Sequence, residues 1–286
     1  MKDKLTQYAL LMRLDKPIGI YLLLWPTLWA IWIASEGKPD LLVLFVFVAG
    51  VFLMRSAGCV INDFADRKID AHVERTADRP LVSGRLSSKE AIILFAVLCL
   101  ASFGLVLLMN SFTIKLSFIG LLLAVSYPFM KRFTHLPQLY LGVAFGWAIP
   151  MAFAAIQNRI PLVAWVLLLG AIIWAVIYDT MYAMVDREDD IKIGVKSSAI
   201  LFGEHDRMII GILQFVMVFV MLIAGTMVNP ERLGWPFHVA LLISAVIMMQ
   251  HRVMIRDRDK DRCFQAFKQN HWIGLVILFG IIASYF

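Results

Sequence analysis

The 286-residue sequence is 60% hydrophobic and 17% charged, where an average soluble domain is about 45–50% apolar and about 25% charged. A water-soluble globule of this size cannot bury so much apolar surface, and the composition equally excludes a disordered chain or a collagen-like fibre; three scattered cysteines, Cys59, Cys99 and Cys263, exclude a disulfide scaffold. The net charge of +6, which in a soluble protein would suggest nucleic acid, here fits lysines and arginines gathered beside anionic lipid, with no nucleic-acid partner.

An all-α polytopic membrane protein remains. A span needs roughly 20 mostly apolar residues, and nine candidates follow in chain order. After a basic leader comes 17–35, with Pro17 and Pro26, expected to be retained because its apolar run is long for a cleaved signal. Then come 41–61, carrying the lone Arg55, and an acid- and base-rich loop over 62–90. Spans 91–109 and 112–130 precede the short basic turn 131–136. Spans 137–156 and 161–181 lead to a second acidic segment within 182–207. The last spans are 208–228, the short 235–250 and, beyond a basic loop, 270–286. With the N-terminus in the cytoplasm, 22 of the 27 Lys and Arg residues fall on the cytoplasmic side and 4 on the other, Arg55 lying within a span. That bias orients the chain by the positive-inside rule.

Ten of the 21 acids lie in two windows, 63–78 and 179–190, and none lies between Glu90 and Asp179. Both windows follow the cytoplasmic end of a span, the second and the sixth. This spacing suggests two four-helix-like repeats plus one helix, around a central cavity, in one domain over 1–286.

In the first window Asn62, Asp66 and Asp70 recur every four residues and share one helical face. In the second, Asp179, Asp186 and Asp190 share a face, with Tyr178 and Tyr182 beside them. Oxygen-only ligands suit a hard divalent ion; Mg2+ takes one or two carboxylates and completes its shell with water and substrate phosphate. The glycine and closing glutamate of an EF-hand are missing. Arg67, Lys68, Arg75, Arg79, Lys131, Arg132, Arg187, Lys192 and Lys196 interleave the acids, serving either orientation alone or an anionic substrate. His72 is read as a solvated loop residue. Arg55 stands seven residues before Asn62, on the same face and two turns deeper. A lone intramembrane arginine costs about 2.5–3.5 kcal/mol on insertion scales, so it should face a polar cavity or snorkel.

These motifs, NDxxDxxxD at 62–70 and YDxxYAM followed by DxxxD at 178–190, resemble the UbiA superfamily of intramembrane prenyltransferases. So do the segments 13–19, 24–29, 75–81, 127–132 and 186–194. Those flanks are similar to the branch that prenylates 4-hydroxybenzoate in ubiquinone biosynthesis. The resemblance implies nine helices in a bacterial inner membrane, Mg2+ dependence, and polyprenyl diphosphate and 4-hydroxybenzoate as substrates, with no obligate protein partner. By position it implies Asn62, Asp66, Asp70, Asp186 and Asp190 as ligands of the metal–diphosphate. Arg67, Lys68, Lys131, Arg132 and Lys192 are expected at the diphosphate. Arg55, Tyr178, Asp179 and Tyr182 are expected at the aromatic acceptor, and Asp186 or Asp190 as the group that eases proton loss. A CDP-alcohol phosphotransferase would pack its acids around a DGxxAR core, which is absent. A transporter would place ionisable groups near the midplane. Haem- or menaquinone-type prenylation is the alternative inside the superfamily.

Overall fold

A computed structural model describes residues 2–71, 76, 78–228 and 233–286, with the side chains of 2, 3, 68 and 69 outside that description. The described residues are helical or irregular, with no strand. In chain order the helices are α1 (Lys2–Leu11), α2 (Ile18–Ala34), α3 (Leu41–Asp70), α4 (Ser88–Val106), α5 (Ser111–Ser126), α6 (Met130–Phe133), α7 (Pro137–Gly146) and α8 (Ala148–Gln157). There follow α9 (Leu162–Ile193), α10 (Ser198–Phe202), α11 (Asp206–Val228), α12 (Trp235–Met254) and α13 (Lys260–Ala283). Every predicted span coincides with helix. Among the described residues eight helical stretches are long and apolar enough to cross a bilayer, while α2, at 17 residues, is a shorter apolar helix. The protein is thus a multi-pass helical membrane protein.

Boundaries differ where charge was taken for a loop. Helix α3 runs on into the first acidic window as far as Asp70, and α9 through the second to Ile193, making them 30 and 32 residues long. Gly194, at φ +71°, closes α9 in the left-handed conformation that glycine adopts freely. Helix α13 begins ten residues before the apolar run, because its first turns present Phe264 and Phe267 inward while their charges face out. Pro128 and a break at Trp147 divide two predicted spans into α5–α6 and α7–α8.

The main core lies where α2, α8, α9, α11, α12 and α13 meet. Trp29 and Trp174, both fully buried, lie 5.6 Å apart between ring centroids, and the Trp29 indole N–H donates to the Gly274 carbonyl at 2.9 Å. That bond satisfies the one polar atom of a large apolar side chain. Helices α7 and α9 touch at Gly142, where a Cβ would stand 2.8 Å from Ile172 Cα. The outer faces of α4, α5, α11 and α12 expose large apolar residues such as Leu100, Leu122, Phe215 and Leu242, as lipid contact requires. One long helix on each side, α3 and α9, therefore carries an acid motif beyond its apolar length and positions it over the space between them.

Candidate active site

A cavity of about 1380 Å³ occupies that space. Asn62, Asp66 and Asp70 line it from α3, and Asp179, Asp186 and Asp190 from α9, so the two distant motifs converge. On α3 the acids are deeply held. Asp66 is 1% exposed, and its Oδ2 accepts from Lys131 Nζ at 2.5 Å. Its Oδ1 has no hydrogen bond, and Arg132 stands 3.9 Å away. Asp70 accepts from Arg79 Nη1 at 2.5 Å. The same Arg79 nitrogen reaches Asp63 Oδ1 at 3.0 Å, which Arg13 also holds at 2.7 Å. Asp70 lies three residues past the span Leu41–Arg67. Burial raises its carboxyl above the ordinary range, Arg79 opposes this, and the nearby Asp66 and Asp63 add to it. On α9, Asp186 and Asp190 are half-buried and engaged with neighbours.

The donor set suits a hard divalent ion. The carboxylates and the amide of Asn62 offer oxygen only, and the buried Asp66 Oδ1 is left without a donor. Among the described residues no three acids, histidines or cysteines form a closed cluster. An ion completing its shell from phosphate and water does not need one.

Deeper in the cavity lies Arg55. Its Nη1 donates to Cys59 Sγ at 2.9 Å, and its Cζ sits 5.6 Å over the Phe145 ring. Asp179, from α9, is the acid that acts on it electrostatically. Tyr178 packs edge-on to Trp174 at 5.4 Å, and Tyr182 lies 4.8 Å from Phe267. Further in, the walls turn apolar, with Phe47, Phe103, Val106, Trp147 and Met151. Leu100 of α4 and Phe118 of α5 line the cavity although they are 69% and 56% exposed. The apolar wall of the cavity is therefore built in part by these two helices, whose Phe103 and Phe118 rings meet at 5.5 Å.

Not every expected residue reaches it. Arg67 turns back on its own helix, donating to the Phe64 carbonyl at 2.5 Å with its guanidinium over the Phe64 ring. Arg132 donates to the Ala65 carbonyl and lies over Phe129. Lys192 is 72% exposed and pairs with Asp189 one turn back. Helical phase directs Arg67 and Lys192 away from the cavity lining, while Arg132 keeps its guanidinium 3.9 Å from Asp66 Oδ1 at the edge of the site. Arg187 joins Arg258 on the fully buried Asp206, a clamp between the end of α9 and the start of α11. The Lys68 side chain, His72 and Arg75 lie outside the described residues.

Other residues enter that motif reading passed over. Arg13 and Asp63 join Arg79, one of the expected interleaving bases, in the ion-pair network above. Gln138, 4% exposed, engages Asp179 and also accepts from the Ser198 backbone N–H at 3.1 Å. Lys268 and His271 line the cavity from α13 together with Phe264 and Phe267. Their spacing at i, i+3, i+4 and i+7 is the signal that could have revealed that face.

A bundle that seats acids and cations at one end of an apolar cavity belongs to the membrane-embedded enzymes that act on amphiphiles with anionic heads. The chain belongs to the UbiA prenyltransferase family, whose model matches residues 23–274, and is a membrane prenyltransferase. It is 58% identical over 284 residues to a 4-hydroxybenzoate octaprenyltransferase of Psychromonas ingrahamii, covering 99% of this chain and 98% of that one. The solved apo structure of a UbiA homolog from Aeropyrum pernix superposes with a TM-score of 0.80 at 25% identity, over 94% of this chain and 98% of that one. A homolog from Archaeoglobus fulgidus, solved with DMAPP and Mg2+, shares the fold with a TM-score of 0.72 at 17% identity, over 95% and 99%.

Proposed function

We propose that this protein transfers a polyprenyl group from an allylic polyprenyl diphosphate to the ring carbon of 4-hydroxybenzoate ortho to the hydroxyl, as a step of ubiquinone biosynthesis. The observation that carries the reading is the cavity itself. It joins both oxygen-donor stripes to a guanidinium that has no ion pair among the described residues and to an apolar wall. The name of the Psychromonas relative supports the acceptor and an octaprenyl donor. The Archaeoglobus structure supports Mg2+ and a diphosphate donor.

Asn62, Asp66, Asp70, Asp186 and Asp190 would hold Mg2+, which when bound supplies positive charge that offsets the departing diphosphate. Lys131, already at Asp66, with Lys196 and Lys268 along the lining, binds the phosphate oxygens by charge-assisted hydrogen bonds. The prenyl tail lies along the apolar wall, favoured by about 0.8 kcal/mol per buried CH2. Arg55 takes the acceptor carboxylate, and Tyr178, Asp179 and Tyr182 border the ring. The allylic C–O bond breaks towards a carbocation, which the apolar walls shield from water. The electron-rich ring carbon attacks, and the ring proton leaves to Asp186 or Asp190. An Asp186→Ala variant that turned over normally would remove that assignment.

We read residues 1–286 as one domain, a reading the 23–274 family match supports. The excess of bases beside the acid motifs supports a bacterial inner membrane location with these ends in the cytoplasm. The test incubates membranes containing the protein with 4-hydroxybenzoate, Mg2+ and polyprenyl diphosphates of several lengths. The expected product has the mass of the acceptor plus the prenyl group less one hydrogen, diphosphate and the ring proton being released; no prenylated product with any donor refutes the reading.

A further inference from the structure

The segment 13–19 has a cavity-facing end that the proposed chemistry has not used. Gly19 lies in the first turn of α2, just after Pro17 starts the helix, and lines the cavity. Arg55 of α3 lies directly against it. A Cβ built on Gly19 would overlap the guanidinium at Nε, Nη2 and Cζ. The absence of a side chain is therefore what lets the α2 backbone approach the guanidinium so closely.

The other contacts complete a seat. Cys59 Sγ accepts from Nη1 at 2.9 Å, one turn along α3, and the Phe145 ring of α7 lies 5.6 Å from Cζ. A thiol is a weak acceptor, and a ring face offers only a quadrupole. Neither neutralises a full charge, and Asp179, the acid that acts on it from a distance, makes no hydrogen bond or ion pair to it among the described residues, so these groups orient the guanidinium while leaving its hydrogen-bonding edge for an anion. We propose that Gly19 is a positioning residue for the acceptor: its bare Cα sets the plane and depth of the Arg55 guanidinium and so the fit of the substrate carboxylate. This rests on Arg55 as the carboxylate anchor.

The geometry makes the consequence specific. The atoms a Gly19 side chain would meet are the far end of a flexible chain, so the bundle need not move; the guanidinium must. An orienting group misplaced by about 1 Å can cost up to about 100-fold in rate. A displacement felt by one substrate alone appears in that substrate's KM.

The experiment compares Gly19→Ala, Arg55→Gln and the double variant in the full chain, in detergent with Mg2+. KM for 4-hydroxybenzoate, KM for polyprenyl diphosphate and melting temperature are measured for each. Gly19→Ala should raise the acceptor KM about tenfold, with donor KM and melting temperature unchanged. Arg55→Gln should raise it at least as much. In the Arg55→Gln background, Gly19→Ala should add less than about twofold, because the group it displaces is gone. That double variant also keeps the test open if Gly19→Ala alone folds poorly, since it should melt with Arg55→Gln. Increments that multiply, or a donor KM that rises equally, overturn the positioning role. An acceptor KM raised by Arg55→Gln but untouched by Gly19→Ala overturns it while leaving the anchor reading intact. An acceptor KM insensitive to Arg55→Gln overturns the anchor reading itself.

Discussion

Replacing Arg79 with glutamine separates the folding role of the ion-pair network from its place at the site. Arg79 Nη1 holds Asp70 at 2.5 Å and Asp63 at 3.0 Å, while Asp63 keeps Arg13 at 2.7 Å. The loss therefore falls mainly on Asp70. Hydrogen bonds to charged groups contribute about 1.5–3 kcal/mol each, and removing one partner of a buried pair costs about 3–5 kcal/mol. The Arg79 side chain is 16% exposed, and glutamine can still donate one bond, so about 2–4 kcal/mol is expected. Unfolding in detergent with EDTA measures this. Mg2+ with inorganic diphosphate should then narrow the deficit to under about 1 kcal/mol, because bound ligand stabilises by mass action and the variant need not first surrender the Arg79–Asp70 pair. The pH dependence has a definite sign. Burial already raises the Asp70 carboxyl, and losing Arg79 removes what opposes the rise. A raised carboxyl binds its proton more tightly in the folded state, so stability falls as pH climbs through the folded value. The deficit should thus be smaller at about pH 5 than at about pH 8. A deficit that Mg2+ and diphosphate leave unchanged would refute Asp70 as a group whose countercharge is exchanged at the site.

Asp206→Asn should cost about 3–5 kcal/mol in the same assay, since it breaks the Arg258 pair at 2.9 Å on a fully buried acid; kcat per folded molecule should hold, and a normal melting curve would show the clamp to be idle. Gly142→Val should destabilise by about 1–3 kcal/mol by overpacking, because the added Cβ meets the Ile172 backbone. Leu100→Trp narrows the apolar wall along which the prenyl tail is proposed to lie, and should raise KM for long prenyl donors by about fivefold or more, a ~1 kcal/mol overpacking cost, while sparing short ones. Equal effects on both would mean the tail leaves by another route.

Much of the site was legible because it obeys local rules. Asn62, Asp66 and Asp70 repeat at helical spacing, and the helix through them presents all three to the cavity. Arg55, two turns deeper on the same face, follows them. Basic residues were less legible. Lys131 bonds Asp66 directly, yet Arg132, the next residue, bonds the Ala65 carbonyl and stays 3.9 Å from Asp66, and Arg67 folds onto Phe64. Composition could not tell them apart, because every cytoplasmic base satisfies the same orientation rule. Lys268 was hidden for the same reason, as one of six bases in the segment 251–269.

Hydropathy and charge are sums over neighbours in the chain, so the sequence by itself determined the helical membrane class, the span order, the orientation bias and the two acid stripes. Whether Arg79 bridges Asp63 to Asp70, whether Gly19 lies under Arg55, and whether the stripes of α3 and α9 face one cavity depend on contacts between segments far apart in the chain. Those contacts are set by side-chain packing and close backbone approach, which no single helix encodes. Tertiary structure alone decided them, and they turn two separate stripes of acids into one cavity.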